Sequence, residues 1–434
     1  MCTATHPMTA PLTFEILHEC SASSARVGRI TTLHGSFETP VFMPVATAAA
    51  MKGVSVAQIE STSSRMILNN AYHLMLRPGA ERIAHFGGSH EFMRWPHSML
   101  TDSGGFQAWS MSDIVKLTEE GVQFRSFIDG SLIMLTPERS IEVQNLIGAD
   151  IIMAFDDCPP SVSTATATDG EGDDDGAAEE NASIARPSKK PRLTPEAHAA
   201  RLIEAVDRTA RWLDRCKQAH RRPTEQSLFG IVQGGTNFEL RARSAALTTA
   251  IDLPGYAIGG VAVGEGTDEI RRVVEFTAPL LPKDRPRYLM GVGYERDILA
   301  AVRAGVDMFD CVLPTRNGRK GYAFTRSGPV RLRNACHTAD RAPLDETCDC
   351  ICCAGGYSRG YLRHLFMAGE SLGGTLVSVH NLRHFQRLMV DIRSAIRENA
   401  WSSLEREWPV LRPVEMPSAP TTTSVVENPY DQRI

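Results

Sequence analysis

Four of the ten cysteines fall within six residues, 348–353, which read CDCICC. Cys348, Cys350 and Cys353 put three thiols in one tight loop. A structural zinc takes four nitrogen or sulfur ligands in a tetrahedron, so one ligand must come from elsewhere. Cys352 is adjacent to Cys353, and neighbouring residues seldom both reach one metal without strain. His337, His364, His380 and His384 are the other candidates. The stretch TLVSVHN (375–381) reads as a strand running into a helix, with Asn381 as its N-cap. That places His380 at a strand–helix junction, a good ligand position. His384 falls on the polar side of the expected helix and reads as a surface histidine. The remaining cysteines (Cys2, Cys20, Cys158, Cys216, Cys311 and Cys336) are scattered without framework spacing. This pattern favours a reducing compartment and metal binding over disulfides. The expected shell is closed, so the metal would brace structure and not perform chemistry.

Carboxylates supply a second constellation. Asp102 lies in TDSGGF, whose glycines let backbone approach a ligand. Asp156 and Asp157 follow an apolar run, and Asp307 and Asp310 flank Met308-Phe309. If 307–310 is a strand, Asp307 and Asp310 point to opposite faces. Asp310 lies further toward the C-terminal end and is the better site candidate. Any one of these residues alone reads as a cap or a turn, but several at strand ends argue for a shared site. The chain has no H-x-H pair, G-x-S-x-G elbow or Walker A loop.

The elements that must position these groups are short apolar runs alternating with amphipathic helical patterns. The runs are MIL (66–68), ML (99–100), IIMAF (151–155), LFGIV (228–232), YAI (256–258), RYLM (287–290) and MF (308–309). Each ends in a polar or glycine element: Asn69-Asn70, Thr101-Asp102, Asp156-Asp157, Gln233-Gly234, Gly259-Gly260, Gly291 and Asp310. Thr136-Pro137-Glu138 opens a helix to about Leu146, and Thr194-Pro195-Glu196 opens one to about His220. The second carries Leu202, Ile203, Val206, Ala210 and Leu213 on one face. Strand–helix alternation at 434 residues, without a G-x-G-x-x-G after the first strand, predicts an α/β (β/α)8 barrel over a Rossmann sheet. Barrel sites are built from the C-terminal ends of several strands, where these polar elements would converge.

The net charge of −5 conceals a basic strip. Residues 169–180 hold seven acids and no base, and without them the chain carries +2. Residues 314–333 hold six bases and no acid, a pattern that suits phosphates as well as a solvated loop. Residues 161–193 are low-complexity and read as a disordered insertion; their KKPR run admits nuclear import beside a cytoplasmic location. The tail 413–434 reads as flexible. No apolar run reaches the ~18 residues of a membrane span, and the N-terminal stretch lacks the charge and apolar pattern of a secretory signal.

Several segments together resemble the tRNA-guanine transglycosylase family. They are TDSGGFQ (101–107), FDDCPP (155–160), GIVQGG (230–235), AIGGVAVGEG (257–266), RYLMGVG (287–293), DMFDCVLPTRNGR (307–319) and CxCxxC with its later histidine. The likeness runs from about Gly28 to Asn399, apart from 161–193. It implies a barrel over 12–335 with a zinc-binding subdomain and closing helices over 336–405. It also implies exchange of the wobble guanine in G-U-N anticodons for a 7-deazaguanine, through a covalent ribosyl-enzyme. On this resemblance Asp310 is the nucleophile and Asp102 the general acid/base. Asp156, Gln233 and Gly260 hold the base edge, and Phe106 and Met290 sandwich the base. Arg316, Arg319 and Lys320 lie beside anticodon phosphates, and Cys348, Cys350, Cys353 and His380 hold one structural Zn2+ per chain. Partners implied are tRNA, a queuine or preQ1 base, and either a second copy or a homologous non-catalytic subunit. This chain could itself be such a silent subunit, but it retains Asp102, Asp156, Gln233 and Asp310. Cys158 and VAVGEG (261–266) resemble bacterial, preQ1-using members. MKG (51–53), WLDRCKQAHRRP (212–223), PKDRPRYLMGVGY (282–294) and the acidic insertion resemble eukaryotic, queuine-using members, and queuine is the expected base.

Overall fold

The computed structural model describes residues 10–111, 114–161 and 193–412. The expected insertion, apart from its end residues, and the expected tail lie outside these. Eight parallel strands form the centre: β1 (Val41–Pro44), β2 (Met66–Asn69), β3 (Ser98–Thr101), β4 (Ile151–Met153), β5 (Ser227–Val232), β6 (Gly255–Ile258), β7 (Arg287–Leu289) and β8 (Met308–Cys311). Each of β2 to β8 pairs with its sequence neighbour, and β8 returns to pair with β1. A parallel bridge between Val45 and Leu68 closes β1 onto β2. The result is the expected (β/α)8 barrel.

The strands read as continuous apolar runs because both faces are buried. Alternation sorts their side chains into two layers. Met43, Leu68, Leu100, Ile151, Met153, Phe229, Ile231, Ala257, Tyr288 and Met308 pack inside the barrel. Phe42, Ile152, Leu228, Val232, Tyr256, Ile258, Leu289 and Phe309 pack outward in the layer shared with the helices. Carried one step past the strand ends, the same parity aims Asn70, Asp102, Gln233, Met290 and Asp310 inward. It aims Asp307 outward, where that residue meets Arg26 at 2.7 Å.

Five helices matter for the site: α1 (Gly105–Met111), α2 (Pro137–Ile147), α3 (Pro195–Ala219), α4 (Phe238–Thr249) and α5 (Glu295–Arg303). Thr136 and Thr194 cap α2 and α3 by accepting from Arg139 N and Ala197 N, as the Thr-Pro-Glu starts predict. Ile203 departs from the expected apolar face of α3; it is exposed, and Ala205, Thr209 and Trp212 are buried instead. Beyond β8 come α6 (Leu313–Arg319), α7 (Arg359–Ala368) and α8 (Ser371–Glu398).

Residues 375–381 are not a strand. They lie inside α8, where Leu376, Val377, Val379 and His380 are buried. The β-branched run misleads because tertiary packing overrides local propensity. Gly318 of α6 shows how close that packing is: a Cβ there would lie 2.6 Å from Ser378 Oγ. Asn381 is no cap. Its amide donates to Pro314 O and Tyr322 O, each at 2.9 Å, and its Oδ1 accepts from Phe324 N. His384 is likewise buried, and it bonds Glu295 at 2.9 Å. Among the described residues no helix is long and apolar enough to cross a membrane.

Candidate active site and metal centre

Asp102 follows β3 directly and is almost fully buried. Its Oδ1 accepts from Ala71 N at 2.8 Å, and its Oδ2 accepts from the Asn70 amide. Burial pushes its carboxyl up to about 6, with the charge of Asp310 adding to the rise. Asp310, in β8, is close enough for that charge to be felt. Its Oδ1 accepts from Tyr288 Oη at 2.6 Å and from Gly291 N at 2.9 Å. Burial raises its carboxyl, and those two donors hold the rise in check. Both donors reach Oδ1, and Oδ2 has no described donor on it.

Asp156 lies in the loop after β4. Its Oδ2 accepts from Gln233 Nε2 at 2.6 Å, and burial lifts its carboxyl to about 7. Gly260 adopts a left-handed φ of +60°, and a Cβ there would collide with Gln233 Oε1. Met290 Sδ would stand 3.6 Å from a Cβ on Gly259. Asp156, Gln233, Gly260 and Met290 therefore line one wall. Phe106, at the start of α1, is an apolar ring 43% exposed. Its neighbour Gly105 packs against Phe155 and the Asp156 carbonyl.

Three partners escape a reading of the sequence. Tyr288 sits within an apolar run, and nothing local marks its hydroxyl as a donor. Gly291 reads only as a strand-end glycine. Arg241, on α4, is fully buried; its guanidinium donates to Gly235 O, Val232 O, Gly259 O and Gly260 O at 2.6–3.1 Å. It ties the loops after β5 and β6 together. Burial without a carboxylate partner pulls it down to about 10. All four partners are backbone carbonyls, which leave no mark in the sequence.

The basic residues Arg316, Arg319 and Lys320 lie on and just after α6, which begins two residues after β8. All three are half-buried, and Arg319 lines a cavity of about 600 Å³ together with Lys52 and Arg333.

The cysteine loop closes on α8. Cys348, Cys350, Cys353 and His380 are buried, with their ligand atoms all within 4.8 Å of one another. His380 Nδ1 lies 3.6 Å from Cys350 Sγ and 3.3 Å from Cys353 Sγ. Its Nε2–H donates to Phe324 O at 2.8 Å, leaving Nδ1 as the ligating nitrogen. Three thiols and an oriented imidazole make a donor set that suits zinc. Cys352 is buried but lies outside this set.

A second group, His34, His90 and Asp150, lies at the opposite end of the barrel. Its two imidazoles stack 3.6 Å apart at 10°, so their nitrogen lone pairs run parallel and do not converge on one ion.

The family model for queuine tRNA-ribosyltransferase matches residues 20–171 and 181–412. The chain is 49% identical over 398 residues to a queuine tRNA-ribosyltransferase of Thermus thermophilus, covering 92% of this chain and 94% of that one. It is 44% identical over 401 residues to one of Geobacillus kaustophilus, covering 92% and 96%. It is 47% identical over 407 residues to one of Synechococcus elongatus, covering 94% and 96%. The chain belongs to the queuine tRNA-ribosyltransferase family.

Proposed function

We propose that the chain exchanges the wobble guanine of G-U-N tRNAs for queuine by double displacement at Asp310. The observation that carries this reading is the pair of carboxylates at the barrel mouth: Asp102 is buried and Asp310 half-buried, the charge of Asp310 raises Asp102, and among the described residues neither accepts from a cation. Displacement at C1′ of a ribose passes through an oxocarbenium-like state that a carboxylate can capture, as in retaining glycosidases. Asp310 Oδ2 bonds to C1′ as the C1′–N9 bond to guanine breaks. Asp102, with its carboxyl near 6, gives the departing guanine N9 its proton. The arriving base then returns a proton to Asp102. Its nitrogen attacks C1′, and the Asp310–C1′ bond breaks. Asp156, Gln233 and the Gly260 backbone read the pyrimidine edge, and Phe106 and Met290 hold the ring faces. The target nucleotide must leave its stack to reach them.

Arg316, Arg319 and Lys320 are read as contacts to anticodon phosphates. Cys348, Cys350, Cys353 and His380 would hold one zinc, which braces the cysteine loop against α8. His380→Ala tests this by metal content: zinc should fall from one per chain, and full zinc would remove His380 from the set. The reading places the enzyme with tRNA in the cytoplasm, as a dimer of two copies or with a homologous non-catalytic subunit.

Exchange of radiolabelled guanine into tRNA tests the nucleophile. Asp310→Ala should abolish it, and undiminished exchange would sink the reading. A second reading, preQ1 as the arriving base, is favoured by Val263 and Cys158, which match the bacterial pocket pattern. Competition between the two bases separates the readings: use of preQ1 without queuine would overturn queuine.

A further inference from the structure

The loop that presents Gly291 to Asp310 runs from Met290 to Tyr294 and feeds directly into α5. Its near end is tied to the barrel by Met290 N donating to Ile258 O at 3.3 Å. Its middle is pressed against β8, since a Cβ on Gly293 would lie 2.4 Å from Cys311 Cβ. Its far end is Glu295, the first residue of α5, whose carboxylate is almost wholly buried. That carboxylate accepts from His384 Nε2 at 2.9 Å.

His384 is itself held rigidly. Phe324 stacks on its ring with centroids 6.0 Å apart, and Trp408 meets it edge-on at 5.0 Å. His384 lies one turn beyond His380 on α8, and Phe324 also accepts the hydrogen bond from His380 Nε2. The His384 Nδ1 has no hydrogen-bond partner among the described residues. An apolar slot that admits one imidazole nitrogen to one buried carboxylate is costly unless the pair is made. The pair therefore fixes where α5 begins.

We infer that Glu295 and His384 are a positioning pair that clamps the 290–294 loop so that the Gly291 N–H stays on Asp310. The inference rests on the reading of Asp310 as the nucleophile. Neither residue touches the reacting atoms. The chemical consequence follows from what the Gly291 N–H does: it stabilises the ionised carboxylate against burial. Releasing the clamp withdraws that donor, so Asp310 stays protonated to higher pH and fewer molecules hold a competent nucleophile.

The test is the pH profile of guanine exchange by the full chain, with metal content measured on each variant. Glu295→Ala should lower kcat by about tenfold, move the acid limb of kcat to higher pH, and leave KM for tRNA and zinc content unchanged. Glu295→Gln keeps an oxygen to accept from His384 and should restore both rate and profile. His384→Leu fills the slot without a donor and should repeat the Glu295→Ala behaviour if that variant does not fold. An acid limb at the wild-type position in both breaking variants would overturn the clamp, and so would a rate loss that tracks zinc loss. Asp310→Asn run in parallel separates the two ideas. Retained exchange there would sink the nucleophile reading, whereas a dead Asp310→Asn with unmoved clamp profiles sinks the clamp alone.

Discussion

The two ends of the barrel both bury carboxylates and, Asp157 with its Arg201 and Arg208 partners aside, they do so in different company. At the N-terminal end Asp307 faces Arg26 at 2.7 Å and accepts from Arg287 N at 2.8 Å. Asp150 meets His34 at 2.7 Å and His90 at 3.3 Å. Burial alone would raise Asp150, but the two histidines hold it well below the usual carboxylate range. At the C-terminal end Asp102, Asp156 and Asp310 accept only from neutral groups, and burial lifts all three. A buried carboxylate beside a cation has a settled charge and serves stability. One held by amides and a phenol has no cation to offset the rise from burial, the setting in which perturbed acids and nucleophiles are found. Asp307 and Asp310 lie three residues apart, the first just before β8 beside Arg26 and the second within β8 beside Tyr288 and Gly291, on opposite faces.

Substitutions at the two ends should break along this line. Asp310→Asn is expected to reduce guanine exchange by on the order of 10⁴-fold or more while leaving the denaturant midpoint near the parent value. Loss of fold in step with loss of rate would return Asp310 to the structural class. Asp102→Asn is expected to cost roughly 10²–10⁴-fold in kcat, read in the same assay. A change in KM alone would remove its proton-transfer role. Asp307→Asn should do the opposite: it leaves Arg26 buried without its charge partner, which costs about 3–5 kcal/mol. Chemical denaturation checks the stability, and exchange per folded molecule should be retained.

The smallest expected effect is a pH dependence at His34. The hydrogen bond that His34 donates to Asp150 raises the His34 pKa above its ordinary 6.5, against the lowering effect of burial. A raised folded pKa contributes stability fully below about 6.5 and loses it as pH rises through the folded value. His34→Asn should therefore lower the thermal midpoint more at pH 5.5 than at pH 8.5. An equal loss at both values would show that the imidazole acts by packing alone.

Much of this contrast can be read in the amino-acid sequence. Strands ending in Asp102, Gln233, Gly260, Met290-Gly291 and Asp310 announce both the barrel and its working end, because alternation is local and survives in sequence. The opposite facing of Asp307 and Asp310 follows from the same alternation. The first strand, Val41–Pro44, leaves no such mark: it is short, ends in proline and carries no polar terminus. The error at 375–381 has a different cause, since a helix buried on nearly all sides has no amphipathic period to detect. Tyr288 and the Glu295–His384 pair stay invisible because their partners lie 22 and 89 residues away, and Arg241 because two of its four carbonyls lie 18 and 19 residues away. His384 reads as a surface residue because only the folded slot between Phe324 and Trp408 buries it.

Double displacement requires a covalent bond from Asp310 to the ribose. Mixing the chain with a G-U-N tRNA in the absence of an arriving base, quenching in denaturant and mapping the ribosylated peptide by mass spectrometry tests it directly. A tRNA–protein adduct on the peptide carrying Asp310, absent from Asp310→Asn, is the expected result. An adduct on the peptide carrying Asp102, or one that persists in Asp310→Asn, would contradict it.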